Sequence, residues 1–154
     1  MIQRIYLDTS VIGGCFDTEF MEWSNKLIDE ILGRQKLSVL SDITIDEIQD
    51  GPDHIRKKKN ELLEINNELV AADEETDNLA KKYIFEGAIS EKYFEDAQHI
   101  AIGTVFKVDV LVSWNFKYIV NLDKIRLYNA VNLKNGYPIL EIRTPREILK
   151  EDTK

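Results

Sequence analysis

Residues 2–10 read IQRIYLDTS. The part through Leu7 is short, β-branched and aromatic, and it predicts a buried strand that stops at Asp8. Three later runs of the same kind, at 37–40, 109–113 (DVLVS) and 138–142, predict further strands. The segments between them carry helical spacing. Residues 19–32 place Trp23, Leu27, Ile28, Ile31 and Leu32 on one face, and Gly33 ends the helix. Helices are expected from Ser41–Thr44 to Asp50, over 53–68, over 74–86, over 91–107 and over 116–133, the last in one piece or two. Thr144-Pro145-Arg146-Glu147 is a helix start, with Thr as N-cap, Pro at the first helical position and Glu closing a capping box. Strands that alternate with helices and are continuously apolar belong to an α/β fold with helices on both faces of a parallel sheet. In such sheets ligands gather outside the carboxyl ends of the strands.

The chain has 154 residues, a length expected for one domain spanning 1–154. It carries 28 acidic against 20 basic residues, for a net charge of −8. That excludes holding nucleic acid by bulk positive charge, and leaves open an enzyme whose charge is corrected locally by a metal or partner. A single cysteine, Cys15, excludes an internal disulfide framework and points to a reducing, cytoplasmic setting. No stretch approaches the ~18 apolar residues of a membrane span. Two histidines and one cysteine, far apart, argue against zinc.

Four polar residues sit where strand ends are expected to gather. Asp8 ends the first strand, Glu47 lies in the helix after the second, Asp96 lies early in the helix feeding the third, and Asn115 follows that strand. Carboxylates at one spot repel, so their convergence makes sense around a hard divalent cation such as magnesium, which prefers oxygen ligands and keeps several waters. Each position has a second reading. Asp8 is also a helix cap, Glu47 the end of a capping box from Thr44, Asp96 an exposed helix residue, and Asn115 a turn residue. Arg56-Lys57-Lys58-Lys59 is the dense basic run, read either as a solvated helix face or as phosphate contacts; Lys117 is a second candidate for such a contact.

The segments IYLDTSVIGG (5–14), SDITIDEI (41–48), FEDAQHIAIG (94–103) and DVLVSWNFKYIVN (109–121), with RTPREIL (143–149), resemble the PIN-domain ribonucleases. The resemblance is to the VapC-type toxins of toxin–antitoxin pairs in particular, and it covers nearly the whole chain. It implies a PIN-like three-layer sandwich, with a central, mostly parallel sheet of about four to five strands flanked by helices. It implies a Mg2+- or Mn2+-dependent endoribonuclease held inactive by a bound antitoxin, and a homodimer. The family's acidic positions fall on Asp8, Glu47 and Asp96, and its fourth, acidic or amide, position on Asn115. Its hydroxyls near the metal fall on Ser10 and Ser113. Asn115 stands where aspartate is often found, and Tyr118 where this Trp-Asn-Phe-Lys pattern often continues with histidine. One rival reading keeps the scaffold but loses turnover through the amide at 115, leaving an RNA- or protein-binding module. A phosphotransfer enzyme with Asp8 as nucleophile wants a second aspartate where Ser10 stands.

Overall fold

β1 (Arg4–Leu7) lies at the centre of a five-stranded sheet, and its alternating side chains divide the interior in two. The computed structural model describes residues 1–150; the last positions of the expected domain, 151–154, lie outside the described residues. Ile5 and Leu7 point to one face and pack with Val110 and Val112 of β4 (Val110–Val112) and Leu40 of β2 (Leu37–Ser41). That face is covered by α1 (Thr9–Gly14), α2 (Met21–Leu32), α4 (Asp53–Ile65) and α8 (Pro145–Lys150). Tyr6, Val39 and Leu111 point to the other face, under α5 (Glu74–Phe85), α6 (Phe94–Val105) and α7 (Leu122–Lys134). The result is the three-layer α/β sandwich expected from the sequence. No described helix is long and apolar enough to cross a membrane.

All strand pairs are parallel, in the order β3-β2-β1-β4-β5, with β3 at Asn67–Val70 and β5 at Ile142–Arg143. The chain leaves β1 toward β2 and β3, then returns to build β4 and β5 on the other side. The reversal opens a crevice between β1 and β4 at their carboxyl ends, the place where doubly wound sheets bind ligands. Asp8 and Ser113 follow these two strands directly.

The structure moves several expected boundaries. The helix expected over 53–68 ends at Ile65, and β3 follows it. Asn66 breaks the helix in an extended conformation, with its side-chain amide donating to Ile31 O and Lys36 O at 2.8 and 2.7 Å. Of the helix expected over 116–133, only Leu122–Lys134 forms, capped by Asn121, which accepts from Lys124 N at 3.1 Å. The strand expected over 138–142 shrinks to Ile142–Arg143. The helix expected over 91–107 opens with a 3-10 turn, Glu91–Tyr93, before α6. α3 (Asp42–Gln49) is capped by Ser41, which accepts from Thr44 N at 3.2 Å, so the capping box from Thr44 to Glu47 is absent. The box at Thr144–Glu147 is present in both directions, at 2.9 and 3.2 Å.

Candidate active site

Asp8 is 4 % exposed at the mouth of the crevice. Its Oδ1 accepts from Ser10 Oγ at 2.6 Å and Val11 N at 3.3 Å, and its Oδ2 from Ser113 Oγ at 2.5 Å. Asp8 is therefore the N-cap of α1, with its carboxylate held where the carboxyl ends of β1 and β4 meet. Ser10 Oγ in turn accepts from Trp114 N at 2.9 Å, and Ser113 Oγ from Asn115 N at 2.9 Å. These serines tie the end of β1 to the end of β4 and fix the plane of the Asp8 carboxylate. Burial pushes the Asp8 carboxyl above the usual range, against the pull of His99 and its hydroxyl and backbone donors.

Glu47, from α3, meets His99, from α6: Glu47 Oε1 is 2.9 Å from His99 Nε2. His99 Nδ1 is 2.7 Å from Tyr6 Oη, which is 2.7 Å from Ser41 Oγ. Burial opposes a charge on His99, but Tyr6, Glu47 and Asp8 outweigh it and raise its pKa well above 6.5. Protonated, His99 donates from Nε2 to Glu47 and from Nδ1 to Tyr6, an internal counter-ion among the carboxylates. His99 lies on α6 one helical turn beyond Asp96.

Asp96, in the first turn of α6, accepts no hydrogen bond from the described residues. Its carboxyl is pushed up to about 6, first by burial and then by Asp8, Glu47 and Glu95, with His99 pulling down. Asp8, Glu47 and Asp96 thus share one electrostatic environment, although Asp8 and Asp96 come from opposite halves of the chain. Among the described residues no three His, Cys, Asp or Glu side chains converge tightly enough to ligate one ion directly. The donor set still fits a hydrated hard cation. Magnesium keeps several waters and is held by one or two carboxylates, and Asp96 makes no hydrogen bond among the described residues that a cation would have to displace. Thr9, next to Asp8, adds a buried hydroxyl without a hydrogen-bond partner among the described residues.

Asn115 takes the turn reading. Its Oδ1 accepts from Lys117 N at 3.2 Å and Tyr118 N at 3.0 Å, which commits both lone pairs to the backbone. The basic run does not form one charged face. Arg56 folds back onto Gln49 O, Gly51 O and Asp53, Lys58 pairs with Glu61 at 3.7 Å, and Lys59 is 6 % exposed. Lys57 stays in solvent, as does Lys117. Lys117 lies over the Tyr118 ring at 5.4 Å, and contact with the Tyr118 hydroxyl raises the pKa of its ammonium. On the far side of Ser113, Trp114 stacks on Phe20 at 4.4 Å and lines a cavity of about 430 Å3 with Trp23, Phe116 and Arg146.

Two solved structures share this architecture. VapC20 of Mycobacterium tuberculosis, a sarcin-ricin loop cleaving toxin, is 12 % identical and superimposes with a TM-score of 0.56 over 74 % of this chain and 92 % of its own. VapBC2 of Rickettsia felis, bound to a DNA fragment from its promoter, is 13 % identical with a TM-score of 0.59, over 92 % of this chain and 98 % of the matched chain. The chain shares the fold of these two structures, a PIN-like α/β sandwich. No family model matches the sequence, and no curated protein matches it. Volume and patterning suffice to preserve a fold while side chains diverge, so a likeness at this identity speaks for the PIN framework and not for any one side chain.

Proposed function

We propose that this PIN-fold chain is a metal-dependent endoribonuclease, the toxin of a toxin–antitoxin pair acting in the cytoplasm. The observation that carries the reading is Asp96, which makes no hydrogen bond among the described residues and is pushed up to about 6 by burial and by Asp8 and Glu47 at the crevice. Carboxylates held together against their repulsion call for a cation. Mg2+ or Mn2+ would be held by Asp8, Asp96 and Glu47, directly or through water, and would supply an activated water and charge neutralisation at a phosphodiester.

The chain's own residues do the rest. Ser10 and Ser113 hold the Asp8 carboxylate in one orientation and occupy the lone pairs that face them. His99, braced by Tyr6 and Ser41, holds Glu47 at the rim. Asp96, pushed up to about 6 in the free protein, would give up its proton when a cation binds beside it. Asn115 completes the site by closing the turn that carries Ser113 and Lys117. Lys117 and Lys57 supply phosphate contacts in a chain whose overall charge repels RNA; Arg56, Lys58 and Lys59 have other partners or little exposure and serve α4.

VapC20 is a sarcin-ricin loop cleaving toxin, which favours RNA as the substrate here. VapBC2 favours a cognate antitoxin as the partner. The aromatic cavity of Phe20, Trp23, Trp114 and Phe116 suits an apolar antitoxin side chain, with Arg146 at its edge. A homodimer would cover Leu127 and Leu133, which α7 leaves in solvent at 44 % and 61 % exposure.

The test is RNA cleavage by the purified chain with and without Mn2+. Cleavage should require the metal, and Asp8→Asn and Asp96→Asn should abolish it while leaving the circular dichroism spectrum unchanged. Ser113→Ala should slow it by ~10–100-fold. Metal-independent cleavage, or full activity in either aspartate variant, overturns the proposal. RNA binding without turnover in the wild type would favour the binding-module reading that Asn115 suggests.

A further inference from the structure

Tyr118, which departs from the family's usual histidine, has a partner in space. Its ring stacks on that of Tyr93, with centroids 3.8 Å apart and planes 28° from parallel. The stack joins the two segments that border the acidic site. Tyr93 precedes Asp96 by one helical turn, and the Tyr118 N–H donates to Asn115 Oδ1 at 3.0 Å. The Tyr118 carbonyl accepts from Tyr128 Oη at 2.6 Å, so the backbone under the ring is pinned on both sides. Lysines flank the pair, Lys92 over Tyr93 at 5.7 Å and Lys117 over Tyr118 at 5.4 Å. Both lysines are exposed and both rings are half-buried.

We propose that the Tyr93–Tyr118 stack is a nucleobase shelf: an unpaired base beside the scissile phosphate stacks on Tyr118, and Lys117 swings to the adjoining phosphate. The inference rests on the ribonuclease reading and names how that site holds its substrate. Every base offers a π-face, so aromatic stacking holds single-stranded RNA with little regard to sequence. An exposed ammonium over a ring is weakly held, so a base displaces it readily, and the freed charge then meets the backbone. A rigid shelf loses little entropy on binding. It also places local positive charge beside the acids of a chain whose net charge is −8.

The experiment is fluorescence anisotropy with a short fluorescein-labelled single-stranded RNA of mixed sequence, in chelator so that no strand is cut. Tyr118→Ala should raise Kd by roughly ten-fold, and Tyr118→Phe, which keeps the ring, should stay within about two-fold of wild type. Lys117→Ala should flatten the slope of log K against log salt by ~0.7. Melting temperatures of all variants are recorded alongside. A Tyr118→Ala protein that melts lower but binds like wild type has lost only a packing contact, and the shelf is overturned. A Phe variant that binds as poorly as the Ala variant, or an unchanged salt slope in Lys117→Ala, also overturns it. A wild type that binds in this Tyr118-dependent way yet leaves RNA intact in Mn2+ upholds the shelf and refutes the nuclease. Cleavage by a protein whose affinity ignores Tyr118 does the reverse.

Discussion

Replacing Asp96 by Asn should stabilise the metal-free protein while destroying its function. Burial first, then Asp8, Glu47 and Glu95, push this carboxyl from 3.8 up to about 6, with His99 pulling the other way. A carboxyl raised by folding costs stability wherever the folded protein must ionise it. The cost is absent below about pH 3.8, grows as the pH climbs toward 6, and is complete above that. In full the gap corresponds to ~3 kcal/mol. Asp96 is partly exposed, and solvent screening reduces the cost to about 1–2 kcal/mol. For a chain of this size that is a gain of ~2–8 °C in Tm. Thermal melts in chelator should show the gain near pH 7.5 and lose it near pH 4. Manganese should reverse the order. At a hundred-fold excess over Kd, mass action adds about 2.7 kcal/mol to a protein that binds the ion, and the variant should gain little. A lower Tm for Asp96→Asn in chelator at neutral pH would refute the electrostatic argument. Equal stabilisation of both proteins by manganese would refute the part assigned to Asp96.

Gly14→Ala should lower Tm by several degrees, because a Cβ there would stand 2.6 Å from Ser24 Oγ and 2.9 Å from Trp114 Nε1. Overpacking of this kind costs ~1–3 kcal/mol, and tryptophan emission should report the lost Trp114–Ser24 bond, 2.8 Å in the native protein. Cys15 is buried and its thiol is pushed up to about 11 by burial, so a disulfide reagent at mildly alkaline pH should label the unfolded chain and spare the native one.

The elements with strong periodicity were legible. β1, β4, α2 and α6 carry apolar residues at one spacing, and their burial follows it. β3 was hidden because it is an edge strand of mixed polarity, NELV, continuing a sequence that favours helix. What makes it a strand is pairing with β2, which no local pattern records. Residues 116–121 read as helix until Asn115 and Asn121 are seen to cap turns on either side. At the site, Asp8 and Asp96 were legible as polar residues at the ends of apolar elements. The link between Glu47 and His99 was not, since it joins positions 52 apart and depends on how α3 meets α6. The basic run is not one charged face, for a geometric reason. Successive residues on a helix turn by about 100°, so four cations in a row face solvent, a neighbouring loop and the core by turns. Arg56 took the loop, Lys59 the core, and Lys57 the solvent.

The decisive question is whether Asp8, Glu47 and Asp96 share one divalent cation. Crystals soaked in manganese and measured at its absorption edge answer this directly. An anomalous peak is expected between these carboxylates, with at least one oxygen of Asp8 or Asp96 bound to it and water filling the remaining positions. A well-ordered crevice without a peak, with the Glu47–His99 bond and the Asp8–serine bonds unchanged, would contradict it.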